Sequence, residues 1–217
     1  VDIAGDLMVA IATENLQPEP TAVRFHLGQG LPLHNRVLHI SDLARRMQLM
    51  EVKSFILTDP DILTRFEPPR LLAANAKSRT HSALRSSLQP GILDVLSHHI
   101  SAPKPINIYE LGEVVRCQAD GSLYETFLWG FACLDDKASF TTAKSYVQTM
   151  LKALKVSYEL RPCTEARYID GRAATVVVQE QPVGHFGEIN PTLLAQFSFP
   201  EPVCSGEIDC QMLQSAA

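Results

Sequence analysis

The 217-residue sequence lacks any long apolar run. No stretch approaches the roughly 18 apolar residues that a membrane-spanning helix needs, and no charged-then-apolar leader opens it, so no membrane partner is expected. Basic residues are also in the minority, with 19 Lys and Arg against 24 Asp and Glu and a formal net charge of -5. This balance argues against a broad nucleic-acid-binding surface, although it is compatible with a local basic patch.

Motifs that mark common enzyme sites are missing too. The chain has no GxxxxGK[ST] loop, no GxGxxG after a strand, no HExxH, no GxSxG and no CxxC. His98 and His99 are adjacent, so on a helix they point about 100° apart and are expected to be surface residues. Glu110 and Glu113 lie three apart on a predicted strand and face opposite sides, which makes a poor acid–base pair. Gly112 between them indicates a bulge or a close backbone approach.

Cysteine usage favours a cytoplasmic protein with free thiols. The cysteines are odd in number and are scattered through strand-like segments, at Cys117, Cys133, Cys163, Cys204 and Cys210. Buried free thiols are favoured over disulfides or a metal site in such a pattern. The length suits one large domain, or one domain with a fragment of another. A chain of this length can fold without disulfide bonds.

The stretch from Leu84 to Arg116 organises the rest of the chain. It predicts an exposed polar lead-in that ends at Pro90-Gly91, a helix around Leu93, a proline-containing loop, and a strand from Ile106 to Val115. The overlapping segment Ser78 to Ser87 is rich in hydroxyl and basic groups. It could hold a phosphate, but a solvated loop is the favoured interpretation.

Helices and a linker precede this unit. Residues 2–14 predict a short helix. The segment after it is interrupted by prolines and predicts a domain boundary near residue 20. Residues 34–50 predict an amphipathic helix, because apolar residues recur there at three- and four-residue steps. A strand over residues 51–58 is expected next, and Asp59-Pro60 is typical of a helix start.

Strands outnumber helices after the central unit. Strands are predicted over residues 123–134, 157–160, 174–179, 183–189 and 203–210, and helices over residues 139–156 and 191–197. Asn190 before Pro191 is the start signal expected for the second helix. Because the strands do not alternate regularly with helices, a doubly wound parallel sheet is disfavoured. An α+β fold with a mainly antiparallel sheet flanked by helices, which we expect on one face, fits better.

Several blocks in order, beginning with VDIAGDLMVAIATENLQPE and ending with CSGEIDC, together resemble the β subunit of phenylalanyl-tRNA synthetase in its archaeal and eukaryotic branch. NAKSRTHSALRSSLQPGILDVLSHHI and INIYELGEVV are similar to that family's NPKS…VRTSLLPGLL and FEVGDVV blocks. YIDGRAATVVV, VGHFGEINPTLLAQF and CSGEIDC are similar to its PGRAA, GEIHP and FEIDL blocks, and VDIAGDLMVAIATENLQPE resembles the tail of its preceding small domain. Residues 1–20 are therefore identified with that tail, and residues 21–217 with the catalytic-like module.

This resemblance implies a fold and a role. The module should have the antiparallel sheet of class II aminoacyl-tRNA synthetases. It should support, without catalysing, an α subunit that uses ATP to charge tRNA(Phe) with phenylalanine, in an αβ pair of pairs whose editing site lies elsewhere. Two alternatives stay open. One is a residual enzyme that still binds ATP or an amino acid, and the other is a freestanding relative that binds tRNA or a protein partner.

The resemblance also bears on catalytic residues. Class II chemistry places one arginine on a central strand, with an acidic residue two positions on, and another arginine in a glycine-rich strand–helix motif. Here Arg116 ends the central strand, but Gln118 follows it, and the closing helix INPTLLAQF contains no arginine. No catalytic or cofactor-binding residue is therefore expected within this chain.

A metal site and an interface are implied as well. The family's small domain holds Mg²⁺ with acidic residues; Asp2 and Asp6 match two positions, but Gly5 replaces a glutamate, so the site should be weak or empty. Carboxylates at a helix start are the alternative interpretation. One face of the helix over residues 34–50 should join a helix bundle between subunits or, alternatively, pack only on its own sheet. That face consists of Val37, Ile40, Ala44 and Met47.

Overall fold

A computed structural model describes residues 3–11, 28, 30–118 and 120–213. The chain divides into two compact units, Val1–Gly30 and Leu31–Ala217. In the first unit, helix α1 (Ile3–Ile11) confirms the predicted helix over its described length, while the boundary expected near residue 20 lies outside the described residues. Within the described ranges, no helix is long and apolar enough to cross a lipid bilayer.

The second unit is a large sheet with helices packed against it. Its helices are α2 (Pro32–Arg46), α3 (Pro60–Thr64), α4 (Gln89–Ser97), α5 (Phe140–Ala153) and α6 (Pro191–Gln196). Its strands are β1 (Met50–Glu51), β2 (Leu57–Thr58), β3 (Ala83–Leu84), β4 (Ile106–Cys117), β5 (Leu123–Leu134), β6 (Glu159–Pro162), β7 (Tyr168–Val178), β8 (Gln181–Ile189) and β9 (Val203–Asp209). Strands β2 and β3 pair with each other, and the others form a seven-stranded sheet in the order β1-β4-β5-β9-β8-β7-β6.

Antiparallel pairing dominates the large sheet. Every neighbouring pair in it is antiparallel except β1 with β4. Its centre includes the β4–β5 hairpin, whose register runs without a break from Ile106 opposite Leu134 to Cys117 opposite Leu123. The predicted α+β fold with a mainly antiparallel sheet is therefore confirmed.

Helices cover both faces of this sheet, so the expectation of helices on one face is wrong. Along β5, Phe131 and Cys133 join one core cluster with α2 and α5, whereas Ala132 and Leu134 join another with α4 and α6. Successive side chains of a strand point to opposite faces, so a strand that is apolar at consecutive positions needs cover on both sides.

The lead-in to α4 is buried, although its polar composition predicts exposure. Arg85, Ser87 and Gln89 all lie inside the protein, and Pro90-Gly91 falls in the first turn of α4 rather than before it. Proline is tolerated there because the first turn of a helix leaves its N–H groups unpaired in any case. Gly91 lets α4 approach a neighbouring loop, since a Cβ on it would lie 2.6 Å from Ser54 Oγ.

The strand predicted over residues 51–58 is instead two short strands in different sheets. Strand β1 pairs with β4, whereas β2 pairs with β3. Between them, Ser54 donates a hydrogen bond to Glu110 Oε2 at 2.7 Å. This hydrogen bond interrupts the alternation of side chains between two faces that one continuous strand would show.

Other local predictions are confirmed. Asp59 caps α3 by accepting a hydrogen bond from Asp61 N at 3.0 Å, and Asn190 caps α6 in the same way through Thr192 N at 2.9 Å. The cysteines are free thiols, with Cys117 half-buried and the other four buried.

The β7–β8 hairpin carries backbone strain that substitution should relieve. Its loop residues Gln179 and Glu180 have φ angles of 48° and 63°, the left-handed region that a two-residue type I′ turn requires and that favours Asn-Gly. We expect Gln179→Asn/Glu180→Gly to raise the free energy of unfolding by about 1 kcal/mol in urea denaturation. Glu180 also pairs with exposed Arg161, so Glu180→Gln is the control and should change stability by less than about 0.5 kcal/mol. A double variant that is no more stable than the wild type would contradict the assignment of backbone strain to this loop.

Candidate functional site

A polar cleft lies on the face of the sheet that α4 covers. Its cavity of about 210 Å³ is bounded by β4, β5, β8, β9 and the loops that precede α4 and β7. The lining residues are Glu67, Arg70, Ser86, Ser87, Arg116, Cys117, Tyr124, Arg167, His185 and Glu207.

The carboxylate of Glu207, on the central strand β9, is the most heavily contacted group of this cleft. Its Oε2 accepts hydrogen bonds from Ser87 Oγ at 2.7 Å and from Leu88 N at 3.0 Å. Its Oε1 accepts from Arg116 Nη2 at 3.2 Å and lies 3.5 Å from His185 Nε2. Each oxygen therefore faces two donors, which satisfies a carboxylate that is only 3% exposed.

Burial and these donors act on the carboxyl in opposite directions. Removal from water by itself raises the pKa of Glu207. The hydrogen bond and charge of His185, together with the charges of Arg116 and Arg167, outweigh burial and lower the pKa to about 2. Glu207 is therefore a fixed negative charge in the cleft at neutral pH.

Hydrogen bonds continue from Glu207 into the core. Gln89 Nε2 donates to the Tyr168 hydroxyl at 2.8 Å, and that hydroxyl lies 2.7 Å from His185 Nδ1. Burial raises the pKa of Tyr168 well above its usual value, so it keeps its proton. The Tyr168 hydroxyl thus bonds both Gln89 and His185 Nδ1, while the other ring nitrogen of His185 faces Glu207.

Arg167 closes the outer side of this network. Its Nη1 donates to Gln89 Oε1 at 2.9 Å, and its Nε lies 2.7 Å from a Glu165 oxygen. The guanidinium also lies 5.6 Å from the ring centre of Phe66. Gln89 Nε2 reaches Ser205 Oγ at 3.2 Å as well. Polar contacts thus join the start of α4 to β7, β8 and β9.

A second buried ion pair, between Arg85 and Glu110, is internal to the fold. Arg85 Nη1 lies 2.6 Å from Glu110 Oε1 and 2.8 Å from Ser54 Oγ, and its Nε donates to the Glu113 carbonyl at 2.9 Å. Gly112 leaves room for the guanidinium, since a Cβ there would overlap Arg85 Nη2. The predicted close approach is therefore made by a side chain rather than by backbone, and the unbroken β4–β5 register excludes a bulge.

Several arginine N–H groups of the cleft have no hydrogen-bond partner among the described residues. A guanidinium offers five N–H groups. Arg116 directs two of them to Glu207 and the Ser86 carbonyl, and Arg167 directs two as described above. Arg70 makes no hydrogen bond or ion pair with another described residue. A small anion would satisfy these donors.

The four residues predicted for a subunit interface pack within this chain. Ile40 and Ala44 are fully buried in the core cluster that α2 shares with α5, and Val37 and Met47 are half-buried against it. Their part in a contact between subunits stays a prediction, but this chain's own sheet already covers them. The exposed side of α2 carries Leu38.

Of the two predicted magnesium residues, the structure describes one. Asp2 lies outside the described residues, and Asp6 is an exposed side chain on α1. Across the part of the chain that the structure describes, no group of three or more His, Cys, Asp or Glu side chains could hold a metal ion. One exposed carboxylate does not fit the several oxygen ligands that Mg²⁺ prefers, so the weak site stays a prediction. His98 and His99 are exposed, as predicted. The segment Ser78 to Ser87 is exposed only as far as residue 81, so the expectation of a solvated loop is wrong for its second half, which contains β3 and the buried Arg85 and Ser87.

The sequence prediction missed most of the residues that build the cleft. Arg116 is the one that motif reasoning identified. Ser87 and Glu207 are 120 positions apart, so no local spacing connects them. The available signal was the position of Gln89, His185 and Glu207 inside blocks that carry the family resemblance.

Comparisons with known proteins connect the chain to one family. Residues 20–210 match the sequence model described as the phenylalanyl tRNA synthetase beta chain CLM domain. The phenylalanine–tRNA ligase β subunit of Archaeoglobus fulgidus is 30% identical over 221 residues, which cover 96% of this chain and 38% of that protein. The Methanopyrus kandleri subunit is 28% identical, over 92% of this chain and 35% of that protein. This chain therefore spans less than two fifths of the length of these relatives.

The fold is also similar to that of solved structures. Pyrrolysyl-tRNA synthetase from Desulfitobacterium hafniense has a TM-score of 0.71 at 15% identity, covering 84% of this chain and 67% of that one. At this identity the likeness concerns the fold alone, and it confirms the expected class II synthetase architecture.

The low pKa of Glu207 should make stability depend on pH in acid. A carboxyl whose pKa falls from 4.5 to about 2 on folding stabilises the fold above about pH 4.5, and that contribution is lost as the pH falls toward 2. We expect Glu207→Gln to lower the free energy of unfolding by about 3 kcal/mol at pH 7, and by progressively less below pH 4.5. Urea denaturation across this range measures it. Glu113→Gln, at an exposed carboxylate on β4, is the control, and a constant difference between wild type and Glu207→Gln at all pH values would contradict the assignment.

Proposed function

Because this chain belongs to the phenylalanyl-tRNA synthetase β chain family, we propose that it is the catalytic-like module of a phenylalanine–tRNA ligase β subunit and does not itself catalyse the reaction. Its role is to support the α subunit, which charges tRNA(Phe) with phenylalanine at the expense of ATP, in an αβ pair of pairs in the cytoplasm. The match of residues 20–210 to the family's CLM domain carries this proposal.

The charges in the cleft support a noncatalytic role. Class II chemistry needs cationic groups that are free to stabilise phosphate oxygens in the transition state. In this chain, Arg116 is held by the buried carboxylate of Glu207 at 3.2 Å, and Gln118 stands where an acidic residue would follow the arginine. A fixed carboxylate in a small cleft also repels the phosphates of ATP.

The outer face of α2 is the surface that we assign to the α subunit. Leu38 lies on α2 and is 55% exposed, and Leu31, which directly precedes the helix, is 74% exposed. Met50 is exposed nearby in sequence, on edge strand β1. Exposed apolar side chains beside a sheet edge are typical of an interaction surface. The assigned face is opposite the one that contains Ile40 and Ala44.

A second candidate function is a freestanding synthetase-like protein that binds a nucleotide, an amino acid, tRNA or a protein partner. The unused donors of Arg70, Arg116 and Arg167 favour a ligand with a phosphate group over the others. The formal net charge of -5 disfavours extended contact with RNA, whose affinity comes largely from neutralised phosphates.

The interface is tested by placing charge on the outer face of α2. We expect Leu31→Asp/Leu38→Asp to reduce co-purification with a co-expressed phenylalanine–tRNA ligase α subunit by at least about tenfold, because buried unpaired carboxylates cost several kcal/mol. Both positions are exposed, so the circular dichroism spectrum and melting temperature should stay unchanged. Leu72→Asp, at another exposed leucine, is the matched control.

A charge on the inner face should act differently. Ile40→Asp should lower the melting temperature of the isolated chain, because Ile40 is fully buried within it. Undiminished co-purification of the folded Leu31→Asp/Leu38→Asp variant would show that the α subunit binds another surface.

Catalysis is tested by phenylalanine-dependent exchange of pyrophosphate into ATP. We expect this chain alone to show no exchange above background, and the same background for Arg116→Ala, because the arginine is committed to Glu207. Exchange by the wild-type chain that disappeared in Arg116→Ala would support the second candidate instead.

A further inference from the structure

Two cysteines face each other across neighbouring central strands. In the β5–β9 ladder, Cys133 lies directly opposite Cys204, and both side chains belong to the core cluster shared with α5. Residues that are directly opposed in an antiparallel pair have Cα atoms about 4.5–5.5 Å apart. This separation lies within the range of about 4.4–6.8 Å seen in disulfides, so the backbone already suits a bond between the two sulfurs.

The two thiols also differ in acidity. A hydrogen bond between them lowers the pKa of Cys133, and the same contact, together with burial, raises the pKa of Cys204 well above its usual value. The backbone N–H of Ser139, the residue that caps α5, opposes that rise. The thiolate is the attacking species in disulfide exchange, and Cys133 is also the more exposed thiol of the two, at 3% against 0%, so we assign the first attack to Cys133.

The other cysteines do not share this arrangement. Cys117 stands opposite Leu123, and Cys163 and Cys210 lie just outside the strands. Within the strand ladders of the described residues, Cys133 and Cys204 are the one pair of cysteines in register.

We propose that Cys133 and Cys204 form a redox site that reacts with a low-molecular-weight disulfide, such as oxidised glutathione, and closes to an internal disulfide. The Cys133 thiolate attacks one sulfur of the oxidant, forms a mixed disulfide and releases one glutathione thiolate. Cys204 gives up its proton and attacks the Cys133 sulfur, which releases the second glutathione. Two protein thiols are oxidised, and one disulfide is reduced to two thiols.

The strand end offers a route for the oxidant. Cys133 is the penultimate residue of β5, and Asp136 and Lys137 in the following turn are exposed. Cys133 and Cys204 are themselves 3% and 0% exposed, so exchange requires local opening of this end of the sheet. The reaction should therefore be slower than glutathionylation of the half-buried Cys117. This site does not depend on the role proposed above.

The test is incubation of the folded chain with oxidised glutathione, followed by alkylation of remaining thiols in denaturant and peptide mass mapping. We expect the wild type to yield a Cys133–Cys204 cross-linked peptide, about 2 Da lighter than the sum of its reduced parts. Cys204→Ala should stop at a mixed disulfide on Cys133. Cys117→Ala, the control, should cross-link as the wild type does.

Two results would overturn the proposal. One is wild-type protein in which Cys133 and Cys204 are both still alkylated after Cys117 has reacted completely. The other is a cross-link that forms only when denaturant is present during the oxidation, because the folded register would then play no part. The result with the wild-type protein is enough to support or overturn the proposal, so the test does not depend on the folding of either variant.

Discussion

The buried carboxylate of Glu207 is the interaction on which the cleft side of this protein depends. It lies on a central strand, and its two oxygens bind donors from the start of α4, the end of β4 and the middle of β8. A buried charge that loses its donors costs several kcal/mol, so these elements are held in one arrangement. The chain Gln89–Tyr168–His185 then extends that constraint into the core.

This constraint connects the fold to the proposed role. The cleft lies on the face of the sheet that α4 covers, and Arg116, near the end of β4, lines it. Here the guanidinium binds an internal anion, so the positive charge serves to hold the sheet and α4 together. This arrangement rests on packing and hydrogen bonds within the chain itself.

The two faces of the sheet have different chemistry. The face under α4 contains buried charge, namely the Glu207 network and the Arg85–Glu110 pair. The face under α2 and α5 is mainly apolar, and it holds the Cys133–Cys204 pair. Helix α2 contributes its inner side to that apolar core, which leaves its outer side, with Leu38, and the preceding Leu31 for any contact with another chain.

Local pattern determined much of this protein from the sequence alone. The length of β5, the caps Asp59 and Asn190, and the amphipathic period of α2 are properties of neighbouring residues. They could be read without coordinates, and the order of several blocks identified the family. Tertiary structure decided the rest, because hydrophobic period indicates that a helix has a buried side but not what covers it. The tertiary structure buried the polar lead-in to α4 and placed helices on both faces of the sheet. It also brought together Ser87 and Glu207, which are 120 positions apart and make contact only once the sheet has formed.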